Sequence, residues 1–241
     1  MAANQGVILT YGGGGNVPGS LLMHLTGVNN GTVFTDVYGS GTWGQFTTLA
    51  GPPYTVTSTA EGSPFAGVLS ALYTATADCG IYVNPAITAL NFGAGDFTVE
   101  FWAWTTSTPG GTTQIVGSNG SGNFGLGLNT GSKAAVYFGG SILKTATLAV
   151  PGGVAQWVSY AYCRKGGQGY LFVNGVLDSG SPFTDSSTYT ITAAGSYPGS
   201  YIGGACAGAS NFTGYVSELR ITVGFARYTV SYTPATAPFQ Y

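Results

Sequence analysis

The sequence predicts an all-β protein, an antiparallel β-sandwich, on three observations. Two segments, 212–224 (FTGYVSELRITVG) and 97–104 (FTVEFWAW), alternate apolar side chains with period two, as half-buried strands do. Turn signals recur about every 8–12 residues, which is the spacing typical of sandwiches. No segment shows a convincing helical period. The 241 residues suit one such domain, since sandwiches of about 200–250 residues form single units.

Segment 212–224 has the clearest alternation. Side chains of a strand point alternately to two faces, so one face of this strand is expected to build the core. The predicted inner face carries Tyr215, Leu219, Ile221 and Val223, with Ser217 as its one polar member, and the outer face carries Val216, Glu218, Arg220 and Thr222.

Segment 97–104 and the block at 156–177 predict three further features. Asn174-Gly175 between apolar runs predicts a two-residue hairpin turn, because both turn positions need positive φ. We interpret Trp102, Trp104 and Trp157, which fall on predicted strands, as residues of the core or of a sheet face. The alternation in segment 97–104 assigns Phe97, Val99, Phe101 and Ala103 to one face and Asp96, Thr98, Glu100, Trp102 and Trp104 to the other.

The first 19 residues differ from the rest of the chain. Residues 12–15 are four consecutive glycines, whose backbone entropy disfavours a regular element. We therefore predict an N-terminal flexible arm at 1–19 and a sandwich domain at 20–241. The arm is either a loose terminus or an interface arm that adds a strand to a neighbouring molecule. Its apolar residues are Val7, Ile8, Leu9 and Tyr11.

Charged residues are scarce and make up 6% of the chain, against about 25% in typical domains. Aromatic residues make up 14%, which favours a packed β protein over disorder. The net charge of −2 and the lack of a basic run argue against nucleic acid as a partner. No apolar stretch approaches the ~20 residues of a membrane-spanning helix. A surface with so few charged residues suits a protein packed against copies of itself or against another surface.

The cysteines and the single histidine indicate structural roles. Cys79, Cys163 and Cys206 are too far apart for a metal knuckle and do not indicate a disulfide framework. Cys163 ends a strand pattern and is interpreted as a small buried apolar residue. His24 lies among Leu and Met and is interpreted as a structural residue rather than a ligand or base. The N-terminal stretch lacks a positive region and a long apolar region, so no secretory signal is expected. We expect no cofactor.

The run from Tyr201 to Phe239, YIGGACAGASNFTGYVSELRITVGFARYTVSYTPATAPF, carries a family resemblance. It resembles the end of a laminin-G-like or concanavalin-A-like jelly roll of the type found in bacteriophage structural proteins. Those domains share a YIGG strand, an ELRIT strand, a G-x-A-R-Y turn and a Y-T-P exit, and all four occur here in that order. The block QWVSYAYCRKGGQGYLFVNGVL at 156–177 resembles another part of the same domains.

The resemblance implies both a fold and a function. The fold is a jelly-roll sandwich over about residues 20–239. The function would be that of a non-enzymatic virion structural protein of a bacteriophage, a capsid decoration or head-surface protein. Its partners would be the major capsid protein or other virion proteins and further copies of itself, and it would reside in the virion, assembled in the host cytoplasm. The alternative is a lectin-like module on a phage tail or capsid that binds host glycans.

Glycoside hydrolases also occur among relatives of this fold, and they need two carboxylates about 5–9 Å apart. The Glu-x-Asp-x-x-Glu run of the lectin-fold glucanases is absent. Asp96 and Glu100, the two acids that could share a strand face, would lie about 13 Å apart at ~3.3 Å per residue. We therefore expect no enzymatic activity and no catalytic residues.

Sugar binding would need aromatic side chains in exposed loops. Protein interfaces are also enriched in Tyr and Trp, and a chain with 16 tyrosines has exposed tyrosine without any ligand, so we favour the interface. The candidate carbohydrate-binding residues in predicted polar loops are Trp43, Tyr54, Tyr189 and Tyr197.

Calcium binding would need six to eight oxygen ligands, typically from several carboxylates. The candidates Asp78, Asp96, Asp178 and Asp185 form no clustered acidic loop. We interpret them as turn and capping residues, and expect no metal site.

We expect Ile221→Asp to abolish folding. Burial of Ile221 contributes about 1.5–3 kcal/mol, and an unpaired carboxylate in the core adds a further penalty. Thermal unfolding of the variant checks this. A soluble variant with an unchanged melting temperature would show that this strand does not build the core.

Overall fold

The computed structural model describes residues 21–25, 31–37, 42–45, 56–59, 63–66, 70–73, 81–83, 87–106, 108, 111–117, 122–150, 155–191, 200–202 and 212–240. These residues form strands and turns, with one turn of 3-10 helix at Thr88–Leu90. Within those ranges, no helix has the length and apolar character needed to cross a membrane. The predicted arm, including Val7, Ile8, Leu9 and Tyr11, lies outside the described residues.

The first six described strands have three or four residues each, and the longest strands follow them. The first six are β1 (Leu21–Met23), β2 (Val33–Thr35), β3 (Thr42–Gln45), β4 (Val56–Thr59), β5 (Ser70–Tyr73) and β6 (Ile81–Val83). The next six are β7 (Phe97–Thr105), β8 (Thr113–Gly117), β9 (Phe124–Asn129), β10 (Lys133–Phe138), β11 (Ser141–Ala149) and β12 (Trp157–Lys165). The last five are β13 (Gln168–Val173), β14 (Val176–Leu177), β15 (Phe183–Thr184), β16 (Ser200–Ile202) and β17 (Gly214–Val223).

The strands form an antiparallel sandwich of the jelly-roll class, as predicted. The large sheet has the order β14-β13-β12-β7-β17-β5-β4, with β1 also paired to β17 and β15 to β13. Two smaller sheets have the orders β11-β10-β9-β8 and β16-β6-β3-β2. One core joins all three sheets, since Val99, Leu126 and Ile81 belong to the same buried apolar cluster.

Strand β7 lies in the middle of the large sheet and confirms the predicted alternation. Phe97, Val99, Phe101 and Ala103 face the core and are at most 1% exposed. Their neighbours in the chain therefore face away from it. We call this side of the large sheet the outer face.

Strand β17 contains a β-bulge that the alternation did not predict. Ser217 pairs with Trp102 and Arg220 with Glu100, so β17 has one more residue than β7 over this stretch. Glu218 sits in the bulge with φ of +53°. A bulge of one residue reverses the faces on one side of it.

The bulge corrects the predicted faces of β17. Val216, assigned to the outer face, is a core residue together with Leu219 and Ile221. Tyr215, assigned to the core, lies on the outer face and contacts Trp157. Glu218, predicted on the outer face, is fully buried. Its carboxylate accepts hydrogen bonds from His24 Nδ1 at 2.9 Å and from the Phe239 backbone nitrogen at 2.7 Å.

The C-terminal strap, residues 225–239, packs on the outer face over the end of β7 that carries Thr98 and Glu100. Tyr228 and Tyr232 stack with ring centroids 3.6 Å apart and pack on Phe172. Cys163 lies in the same small cluster. Burial raises the pKa of its thiol to about 12, so it acts as an apolar residue, as predicted.

The predicted Asn174-Gly175 turn has positive φ at both positions, and the Gly175 carbonyl accepts a hydrogen bond from the Tyr232 backbone nitrogen.

Beneath the strap, Glu100 and Arg220 form a buried ion pair. Nε and Nη2 of Arg220 lie 2.8 Å from Oε1 of Glu100, and Tyr228 donates to Oε2 at 3.0 Å. Arg227 approaches the same carboxylate at 3.6 Å. Removing one member of such a pair leaves the other charge uncompensated in a poorly hydrated site.

We expect Arg220→Met to lower the free energy of unfolding by about 3 kcal/mol. The double variant Glu100→Gln with Arg220→Met is the matched control, because it removes both charges and should recover more than half of the loss. Urea denaturation of the two variants checks this. A loss below ~0.5 kcal/mol in the single variant would contradict it.

Candidate functional site

The outer face of the large sheet has a covered end and an aromatic end. At the covered end, Thr98 and Glu100 of β7 lie beneath the strap, with Thr98 donating to the Phe225 carbonyl at 3.0 Å. Further along the same face of β7 follow Trp102 and Trp104, both partly exposed. The strap contacts to Thr98 and Glu100 fall on the first end, and the Tyr232 contact reaches the Asn174-Gly175 turn, which borders Ser159.

Strand pairing places two more aromatic side chains next to Trp104. Trp157 is its partner on β12, and Tyr215 is its partner on β17. We call Trp102, Trp104, Trp157 and Tyr215 the aromatic face. Ser159 and Ser217, the partners of Trp102 on the same two strands, are small and buried. The aromatic rings therefore stand above a floor of short side chains.

The rings of the aromatic face touch but are not coplanar. The ring centroids of Trp104 and Trp157 are 6.1 Å apart with an interplanar angle of 70°. Those of Trp157 and Tyr215 are 6.4 Å apart at 54°. All three side chains are partly exposed. Together they present a faceted apolar surface to solvent, whereas apolar surface on a monomeric domain is ordinarily scattered.

Trp102 borders this surface beneath Phe65. The Phe65 ring meets the Trp102 ring edge-on, with centroids 5.6 Å apart. The Trp102 indole nitrogen is buried and has no hydrogen-bond partner among the residues that the structure describes. A buried donor without an acceptor costs about 1–3 kcal/mol. Unsatisfied polar groups of this kind are rare in native structures.

Hydroxyl groups line the strand ends beside the aromatic rings. Thr106, Thr108 and Thr213 are exposed, and Thr106 donates to the Thr213 carbonyl at 3.0 Å. No charged residue occurs in the described segments that form this end, 102–106, 157–163 and 213–217. The described part of the aromatic end is therefore apolar and hydroxyl-bearing but uncharged.

Two predicted carbohydrate-binding residues are buried, which corrects their assignment to loops. Trp43 lies on β3 with no exposed surface and belongs to the core. Tyr189 is also fully buried, packs against Phe97 and Phe124, and donates to Asp185 at 3.1 Å. Neither ring can stack on a ligand. Tyr54 and Tyr197 lie outside the described residues.

Three residues of the aromatic face lie on strands that the sequence predicts, but their pattern indicates no function. Trp102, Trp104 and Trp157 were interpreted as core or sheet-face residues, and the structure places them on a sheet face. A signal was available in segment 97–104. Its core face is already apolar, so two tryptophans on the opposite face mark an apolar outer surface that needs a cover or a ligand.

The carboxylates that the structure describes are held by protein donors. Asp96 accepts from Gly166, Asp178 from Thr147 and Gly180, and Asp185 from Tyr162 and Ser187. The Asp178–Gly180 and Asp185–Ser187 bonds span two residues, as in turns, whereas the other three join segments that are distant in sequence. Asp78 lies outside the described residues. Within the described ranges, no group of three His, Cys, Asp or Glu side chains could hold a metal ion.

The fold defines a β-sandwich of the concanavalin A-like class. A family model described as the concanavalin A-like lectin/glucanases superfamily matches residues 80–223. The chain belongs to this superfamily. No curated protein matches the chain at a significant level.

Solved structures with the same fold include parts of glycan-acting enzymes. Trypanosoma rangeli sialidase in complex with sialic acid is 17% identical, with a TM-score of 0.54, over 86% of this chain and 31% of the sialidase. Domain 4 of an extracellular arabinanase from Geobacillus stearothermophilus, in complex with arabinotriose, is 17% identical, with a TM-score of 0.51, over 78% of this chain and 86% of that domain. The chain thus spans about a third of the sialidase, and these likenesses show the fold.

The comparisons overturn the predicted function. We expected a bacteriophage virion structural protein, but the superfamily and the matched structures are those of lectins and glycan-acting enzymes. The motifs behind the expectation explain the error. In the ELRIT strand, Leu219 and Ile221 are core residues, and in G-x-A-R-Y, Arg227 and Tyr228 hold the strap. These motifs determine the fold. The capsid partners and the virion location stay predictions.

We expect Trp104 and Trp157 to be coupled in folding by about 0.5–1.5 kcal/mol. A double-mutant cycle with Trp104→Ala and Trp157→Ala measures the coupling from urea denaturation. A second cycle of Trp104→Ala with Phe225→Ala is the control, because the exposed Phe225 side chain follows β17 at its other end. Equal values in the two cycles would show that the rings of the aromatic face are not packed together.

Proposed function

We propose that this protein is a non-catalytic glycan-binding module whose aromatic face stacks on sugar rings. The observation that carries the proposal is the contiguous set of partly exposed rings of Trp104, Trp157 and Tyr215 at the aromatic end of the sheet. The superfamily match and the glycan-acting structural neighbours support a role with carbohydrates.

The chemistry of a sugar ring suits this surface. One face of a furanose or pyranose ring carries mainly C–H groups, which pack favourably on the electron-rich face of an indole or phenol. Aromatic side chains have only two χ angles, so little conformational entropy is lost when a ligand fixes them. The hydroxyls of Thr106, Thr108 and Thr213 lie at the strand ends, where they can exchange hydrogen bonds with sugar hydroxyls.

The tilt between the rings favours a single twisted glycan chain. A flat crystalline polysaccharide needs coplanar aromatic rings in a row, whereas the angles here are 70° and 54°. A soluble chain can turn from one ring to the next as successive sugars rotate. The arabinanase domain with this fold was solved with arabinotriose, a short soluble oligosaccharide.

The described carboxylates support binding without cleavage. Glycoside hydrolysis commonly uses two free carboxyl groups about 5–9 Å apart. Glu100, the acid nearest to Trp102 on β7, is committed to Arg220 and Tyr228 beneath the strap. Glu218 is committed to His24 and Phe239. Neither carboxylate is available to protonate a glycosidic bond.

The test measures binding of the full chain to soluble polysaccharides by affinity gel electrophoresis, with isothermal titration calorimetry for any that retard it. Linear arabinan, xylan, galactan and mixed-linkage glucan are the first probes. Trp157→Ala and Tyr215→Ala should each weaken binding by about tenfold or more, because each removes a stacked ring worth about 1.5 kcal/mol or more.

Phe225→Ala is the matched control, since it removes an exposed aromatic ring outside the aromatic face. Its affinity should equal that of the unaltered protein. Circular dichroism of each variant establishes that the fold is retained. If no polysaccharide is bound, or if Phe225→Ala and Trp157→Ala weaken binding equally, the proposal is wrong.

A further inference from the structure

We infer that the aromatic face selects uncharged glycans and rejects acidic ones such as sialic acids and uronic acids. This inference rests on the proposed function and names the class of ligand. It follows from where the cationic side chains lie. The sequence contains six Lys and Arg residues and one His, and all seven lie within the described ranges.

The three arginines are committed elsewhere in the structure. Arg220 and Arg227 hold Glu100 beneath the strap. Arg164 is 1% exposed, and its guanidinium donates to the carbonyls of Gly93, Gly95 and Ser187. It also lies 3.8 Å from the buried carboxylate of Asp185. A guanidinium that is buried and hydrogen-bonded in this way cannot reach a ligand on the outer face.

The lysines lie far from the aromatic rings. Lys165 and Trp157 are the two ends of β12, about 26 Å apart at ~3.3 Å per residue. Lys133 and Lys144 belong to β10 and β11 of a smaller sheet, across the core from the outer face. The Lys144 ammonium lies 5.5 Å from the centre of the Phe183 ring, whose strand pairs with the Lys165 end of the large sheet.

The histidine is also committed, because His24 Nδ1 donates to the buried carboxylate of Glu218. The aromatic end therefore has no cationic side chain to offer a ligand. Glu61 and Asp78, the two acids outside the described residues, do not change this conclusion, because a carboxylate does not attract an anionic sugar.

The carboxylate of an acidic sugar needs a cationic partner when it is brought against apolar rings. In water it is strongly hydrated, and losing that hydration without a charged donor costs several kcal/mol. Recognition of sugar carboxylates by proteins accordingly relies on arginine, whose paired N–H groups match the two oxygens. A neutral sugar loses only hydroxyl hydration, which the threonine hydroxyls and backbone can replace. The sialic acid bound by the matched sialidase is thus a poor candidate ligand here.

The test compares probes that differ in charge. Polygalacturonate and polysialic acid are the acidic probes, and linear arabinan, xylan, galactan and mixed-linkage glucan are the neutral ones. Mixed-linkage glucan oxidised at C6 to the carboxylate gives a pair with one backbone and two charge states. Affinity electrophoresis and calorimetry are run on the full chain, on Trp157→Ala and on Phe225→Ala.

We expect the neutral probes to be bound at least tenfold more tightly than the acidic ones, and oxidation of the glucan to weaken its binding by a similar factor. Binding of the neutral probes should not change between about 0.01 and 1 M salt, a range in which ionic contacts are screened. If an acidic probe binds as well as a neutral one and Trp157→Ala abolishes both, the charge inference is wrong and the proposed function stands. If no probe binds, or if Trp157→Ala and Phe225→Ala behave alike, the proposed function itself is wrong.

Discussion

The β-bulge at Glu218 is the constraint on which both ends of the outer face depend. Val216 and Leu219 both enter the core, although a spacing of three would put them on opposite faces of a regular strand. The extra residue also turns Tyr215 outward beside Trp104, and Arg220 outward beside Glu100. The bulge is tenable because the Glu218 carboxylate, although buried, has donors in His24 and in the backbone of Phe239. One added residue thus positions an aromatic ring at one end of the face and a guanidinium at the other.

The two ends then differ in what can cover them. A buried ion pair contributes little net stability, but it demands partners that complete its hydrogen bonds. Tyr228 and Arg227 supply these to Glu100, so the pair fixes where the strap lies. At the aromatic end the floor is Ser159 and Ser217, which carry no charge to be neutralised. Packing on the rings above them is favourable for any apolar partner of matching shape, including a ligand that binds reversibly. The same sheet therefore has one end covered by the strap and one end with partly exposed aromatic rings.

Local pattern was sufficient to predict those parts of the fold that depend on neighbouring residues. The alternation of β7 and the Asn174-Gly175 turn are of this kind, because a period of two and a pair of positive φ angles leave a direct mark in the sequence. The bulge leaves no such mark, since glutamate rarely adopts positive φ and its stability here comes from His24, distant in sequence. Trp43 and Tyr189 were placed in loops because Gly, Thr and Ser surround them, and tertiary burial overrides that composition. The aromatic face could not be assembled from sequence, because it requires the register of β12 and β17 on β7.

Fold membership leaves the ligand open, because one sandwich architecture serves many activities. This chain is marked by its scarcity of charge, at 6% of its residues, against about 25% in typical domains. A binding site can discriminate between ligands by lacking a partner group for one as well as by providing partner groups for another. Each cation of this chain is engaged with a carboxylate or a carbonyl, or lies far from the aromatic rings. An anionic sugar would lose its hydration there and gain no charged partner, whereas a neutral one would lose little. The low charge of the composition by itself suggests only a surface with little repulsion. At the aromatic face it becomes a determinant of specificity.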